Sequence, residues 1–125
     1  MNFDKVIAGF FIIFAMTLNF GFFYGDISDI ELHSKYELFA AIIINIIATV
    51  LKLGDRTQMG SVLLATSLVA VIQLIAAASV WAIAGYNVVI TQNTSAVIIS
   101  LSGGALLANI TSVILYIGET VKSKR

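Results

Sequence analysis

Val97–Gly118, VIISLSGGALLANITSVILYIG, carries no formal charge over a length sufficient to cross a hydrocarbon core of about 30 Å, and it reads as a transmembrane helix. Within it Ser100, Gly104, Ala108 and Ser112 recur every four residues, which places four small side chains on one face where another helix can approach closely. That stripe is the expected helix-packing surface. Asn109 stands beside it, and a carboxamide held in lipid without a partner is costly. The rest of the protein is therefore expected to satisfy it.

The whole composition agrees with this span. Of 125 residues, 59% are hydrophobic and 11% charged, and the mean hydropathy is +1.00, more apolar surface than a soluble domain of this length can bury. There is no cysteine, so disulfides and thiolate chemistry are excluded; there is no proline, which favours unbroken helices. Net charge is zero, and the only basic cluster is Lys122, Lys124 and Arg125, so nucleic acid is not an expected partner.

Working outward, the sequence predicts an all-α integral membrane four-helix bundle forming a single domain over residues 1–125, with spans at about 5–25, 34–54, 60–84 and 95–118. Asn2 and Asp4 start the first, and Phe3, Phe10, Phe11, Phe14, Phe20, Phe22 and Phe23 crowd it, implying a helix exposed to lipid or to another protein. Gly21 and Gly25 form a GxxxG at its very end, a poor place for a dimer motif. Asp26, Asp29, Glu31, His33, Lys35 and Glu37 then form an acidic segment. Ser28 and Glu31 have capping-box spacing, predicting a helical start near Asp29 outside the membrane. The histidine and carboxylates lack metal-ligand spacing, so the segment reads as a solvated loop with no metal.

The second span contains Asn45 as its strongly polar interior residue, with Lys52 near enough to its end to snorkel to headgroups. After a short link, Asp55 to Gly60, the alanine-rich third span carries Thr66, Ser67, Gln73 and Ser79 and is expected to be the most enclosed. Gly85 to Asn93 reads as an uncharged loop. With both termini inside, six of the seven Lys and Arg residues are cytoplasmic and only Lys35 lies outside, where Trp81, Tyr86, Phe22, Phe23, Tyr24 and Tyr36 gather as an aromatic belt.

Aligning Ala41–Asp55 with Ala105–Glu119 pairs Asn45 with Asn109, Gly54 with Gly118 and Asp55 with Glu119, suggesting two tandem helical hairpins related by an axis along the membrane normal. Each asparagine then lies about 13 Å from its glycine, near the midplane, with Gln73 at a similar level. Asn45, Gln73 and Asn109 form the candidate polar intramembrane cluster, open to two readings: hydrogen bonds that fix helix register, or the lining of a site for an ion or small neutral molecule.

No ionisable residue falls deep within a span, and there is no nucleophile with a base, no phosphate loop and no cofactor motif, so neither catalysis nor a cofactor is expected. Small multidrug transporters share the span count but need an embedded glutamate, which is missing here. The start MNFDKVIAGFF, the link LKLGDRTQMGS and the SGGALLAN of the last span resemble an uncharacterised family of small four-span bacterial inner-membrane proteins. The resemblance implies a multi-pass protein of the bacterial inner membrane associated with ion uptake, and it supplies no catalytic positions. The expected function is a non-enzymatic accessory or assembly subunit of a larger membrane complex, partnered by lipid and by a larger protein or further copies of itself. The alternative is a homo-oligomeric channel or transporter lined by Asn45, Gln73 and Asn109.

Overall fold

A computed structural model describes residues 3–54, 57–87 and 90–123. Asn2, Asp55, Arg56, Lys124, Arg125 and the side chain of Tyr86, all invoked above, lie outside the described residues. The elements are α1 (Phe3–Phe23), a 3-10 turn (Ile30–Leu32), α2 (Lys35–Lys52), α3 (Gln58–Asn87) and α4 (Gln92–Ser123), with no strand among the described residues.

The helices form a ring in which α1 and α3 each pack on both α2 and α4. Gly9 lies against Tyr116 while Phe23 lies against Gly103, so α1 and α4 are antiparallel; Gly21 against Glu37 sets α1 antiparallel to α2 in the same way. The contacts of Thr66 with Ser112 and of Gln73 with Gly104 do the same for α3 and α4. The result is an up-down-up-down bundle. Its cap end carries the α1–α2 and α3–α4 connections, and its tail end carries the termini.

Two apolar clusters fill it. Phe22, Leu38, Leu74 and Ile98, spaced by Ala41, Ala70, Ala77 and Ala105, occupy the cap half, while Ile12, Ala48 and Val113 meet near the tail. Small residues at so many facing positions bring the helices close, the arrangement expected where packing rather than water exclusion drives association. The outside is as apolar as the inside: Phe39, Ile43 and Val50 on α2, Ile72 and Ile83 on α3, and Leu107 and Ile114 on α4 are all exposed.

Three helices, α1, α3 and α4, are long and apolar enough to cross a membrane. The 18-residue α2 is shorter and has Lys35, Glu37 and Lys52 at its ends. The helix predicted near Asp29 begins instead at Lys35, because Ser34 is the N-cap and accepts the Glu37 N–H at 3.3 Å. Ser34 and Glu37 have the same capping-box spacing as Ser28 and Glu31, and only the first pair opens an α-helix. Asp29 caps the 3-10 turn by accepting the Glu31 N–H at 3.1 Å.

Other expectations are corrected by packing. The most apolar stretch of α4 is 39% buried against 28% for that of α3, so α4, not α3, is the more enclosed of the two. Phe22 is fully buried and Phe23 packs on Gly103, leaving Tyr24 and Tyr36, among the described residues, as the freely exposed members of the expected belt. Both glycines of the GxxxG serve within the chain: the Glu37 carboxylate packs on Gly21, and Gly25 turns the backbone with φ +121. The repeat breaks at Gly118, because α4 runs past it to Ser123 whereas α2 ends before Gly54.

Candidate functional site

Polar groups concentrate where α1 and α3 press on α4. Gly103 and Gly104 are adjacent, and on a helix adjacent residues face about 100° apart. A Cβ on Gly103 would stand 2.8 Å from the Phe23 ring, and one on Gly104 would meet the Gln73 carboxamide. The pair therefore admits α1 on one side and α3 on the other.

Of the expected stripe, Ser112 is buried and shares a 2.5 Å hydrogen bond with Thr66, Gly104 takes Gln73, Ala108 is partly buried, and Ser100 is exposed. The face toward α1 is a second surface, formed by Ser102, Leu106 and Asn109, all buried. Into it projects Asn19, 0% exposed. In the orientation that satisfies its neighbours, its Nδ2 donates to the Ser102 carbonyl at 3.1 Å, and its Oδ1 accepts from the Leu106 N–H at 2.9 Å and from Asn109 Nδ2 at 3.0 Å. Ser102 and Leu106 are four residues apart, the two ends of one rung of the α4 ladder. Asn19 thus presents a peptide-like group to the backbone of another helix.

The three residues predicted as one cluster are not linked to each other by hydrogen bonds. Asn109 pairs with Asn19, Asn45 donates to the Ala41 carbonyl of its own helix at 2.7 Å, and Gln73 has a buried Oε1 without a hydrogen-bond partner. None of the clefts at the surface described below is lined by them.

At the cap end His33 is only 4% exposed, not solvated as its acidic surroundings suggested. Its Nδ1 lies 2.6 Å from the Phe22 carbonyl oxygen and its Nε2 2.8 Å from that of Asp26. Carbonyl oxygens only accept, so both contacts are hydrogen bonds only when both ring nitrogens carry protons. The ring packs 5.6 Å from Phe22, which in turn lies 6.0 Å from Trp81. Asp26 accepts the Ser28 N–H at 2.9 Å and its hydroxyl at 2.8 Å; these bonds, with a smaller contribution from the His33 charge, hold its carboxyl below the usual range. Among the described residues no three His, Asp or Glu side chains converge on a metal position.

At the tail end Lys52, expected to reach outward, is 7% exposed, with its ammonium 4.9 Å from the centre of the Tyr116 ring. The Tyr116 hydroxyl donates to the Lys5 carbonyl, joining α1, α2 and α4. Clefts open at both ends: one of 410 Å³ beside Met59, Gly118 and Lys122 at the tail, and two of 380 and 670 Å³ that adjoin at the cap. A shallow groove of 230 Å³ between Met16, Phe20 and Ile110 is almost wholly apolar.

The antiparallel bundle, apolar on its outside and tied by buried carboxamides, is consistent with an α-helical membrane protein, three of its helices being long and apolar enough to cross a bilayer. The chain belongs to a family of unknown function, DUF6394, whose model matches residues 32–120 and so takes in α2, α3 and α4. No curated protein and no solved structure matched the chain.

Proposed function

We propose that this is a four-span protein of the bacterial inner membrane, with both termini cytoplasmic, that acts without catalysis as an accessory or assembly subunit of a larger ion-transport complex. Support for α2 as a fourth span comes from Phe39, Ile43, Ile46 and Val50, a row of exposed apolar side chains like those of its neighbours. Lys5, Lys52 and Lys122 lie at the tail end and Lys35 at the cap end, the asymmetry expected of a cytoplasmic tail.

The observation that carries the accessory role is the face of α1 turned away from the bundle. Phe3, Phe10, Phe14 and Phe20 are 70, 58, 37 and 51% exposed, and Phe10 and Phe14 pack ring to ring at 5.5 Å. Rigid aromatic surface of this kind anchors protein contacts at small entropic cost. The buried polar groups, meanwhile, mostly serve helix packing.

The test is native mass spectrometry of the tagged protein extracted gently from its host membrane. A transporter subunit retained at fixed stoichiometry, and lost from a Phe10→Ala/Phe14→Ala variant that still folds, is the expected result. A homo-oligomer carrying nothing else overturns it. The unpartnered Gln73 Oε1 is what favours the alternative, a channel formed between copies. Conduction abolished by Asn45→Leu/Asn109→Leu would support that reading.

A further inference from the structure

We propose that the two adjoining clefts at the cap end form one binding site for an amine-bearing zwitterionic phospholipid such as phosphatidylethanolamine. The proposal rests on the membrane reading above.

The lower cleft, 380 Å³, is a trough between α2 and α3, walled by Leu38, Phe39, Ala78 and Ala82. The upper one, 670 Å³, lies against the α1–α2 connection and includes Asp29, Glu31 and Gln92. Lys35, Trp81 and Gly85 line both, so the two are continuous. Each falls in the size range of small-molecule sites. Along the chain from Leu38 back through Lys35 to Glu31 the wall changes from apolar to cationic to anionic.

A phospholipid has the matching sequence of parts: acyl chains, then phosphate, then ammonium. Chains in the trough would place the phosphate at Lys35 and the amine at Glu31. These two side chains, and the Trp81 indole N–H, form no hydrogen bond or ion pair with other described residues, so their charge and donor capacity are available to a ligand. Asp29 is partly engaged by its bond to the Glu31 N–H. An anionic headgroup without an amine would meet the same carboxylates with nothing to offset them. A primary ammonium also donates hydrogen bonds to carboxylate oxygens. Trp81 at the junction suits the boundary between chains and headgroups.

The experiment uses delipidated full-length protein in mild detergent, offered equimolar phosphatidylethanolamine and phosphatidylglycerol, with bound lipid read by native mass spectrometry. One phosphatidylethanolamine per protomer is expected, preferred about fivefold, the effect of one modest charge pair. Glu31→Lys should invert that preference, Lys35→Glu should weaken the binding of both lipids without inverting it, and Ala82→Trp should fill the trough and release the lipid, each with helix content unchanged by circular dichroism. Equal retention of both lipids by the unaltered protein, or bound lipid surviving Ala82→Trp, overturns the proposal. So does a homodimer that Ala82→Trp dissociates, because a second copy would then occupy the trough. Alkaline carbonate extraction separates the two readings: release of the protein from its membranes defeats the membrane reading, whereas retention without selective lipid binding defeats the site alone.

Discussion

Replacing Asn19 by leucine removes three interhelical hydrogen bonds and leaves the Asn109 amide facing an apolar side chain. Stranding a buried donor costs about 1–3 kcal/mol, so Asn19→Leu should destabilise by that amount, and Asn19→Leu/Asn109→Leu by less than the sum of the singles. A double-mutant cycle in detergent should give a coupling of about 0.6 kcal/mol, typical of hydrogen bonds within membranes; zero coupling would contradict the node. The two glycines beside it should respond unequally. Gly103→Ala pushes against the Phe23 ring, a stiff neighbour, and should cost about 1–3 kcal/mol, whereas Gly104→Ala meets the end of a flexible glutamine and should cost less. Equal unfolding midpoints for the two variants would refute this. Asn109 could be singled out from sequence because it interrupts an apolar run. Asn19 could not, because two of its partners are backbone atoms of a helix more than eighty residues further on, and backbone leaves no mark in the residue pattern.

The connection between α1 and α2 is held at the level of the element by buried His33, whose two ring nitrogens face the Phe22 and Asp26 carbonyls. His33→Ala should leave the four helices intact but raise amide exchange in residues 24–34 about tenfold, as expected for loss of roughly 1.4 kcal/mol of local stability; exchange unchanged there would show the histidine to be dispensable. Acid should act on the same connection through Asp26. Its carboxyl is depressed in the folded chain, so the contribution of the ionised form is present above the ordinary value of 3.8 and is lost as pH falls through the lower folded value. Exchange corrected for intrinsic rates should therefore rise at Ser28 below about pH 4, and Asp26→Asn should abolish that dependence. The helices themselves were legible because long uncharged runs have few alternative readings. Where α2 begins was not: Ser28 with Glu31 and Ser34 with Glu37 satisfy the same local pattern, and burial of the histidine between them, a tertiary effect, excludes the longer helix. Lys52 escaped for a related reason, since the ring that draws it inward belongs to α4.

For the whole molecule, the absence of cysteine makes the proposed topology directly measurable. Lys35→Cys should react with a membrane-impermeant maleimide in intact spheroplasts, and Lys122→Cys only after permeabilisation; the reverse pattern would invert the orientation. The all-α, four-helix architecture was legible in the long apolar runs, but the sequence pairing of Asn45 with Asn109 is not matched by their bonding, since Asn45 bonds within its own helix while Asn109 bonds across to another. The helices also differ in length: α2 has 18 residues, or about 27 Å, between α3 of 30 and α1 of 21, while α4 has 32, or about 48 Å. In the proposed topology one flank of the bundle is thus matched to a thin bilayer and the other overruns a thick one. The lipid around it must be pinched beside α2 and stretched or tilted past beside α4, a lopsided rim whose elastic cost falls when a neighbouring protein replaces the most deformed lipid. Bilayer thickness would then act as a control on assembly, adding to the contact offered by the α1 phenylalanines wherever the surrounding lipid is most deformed.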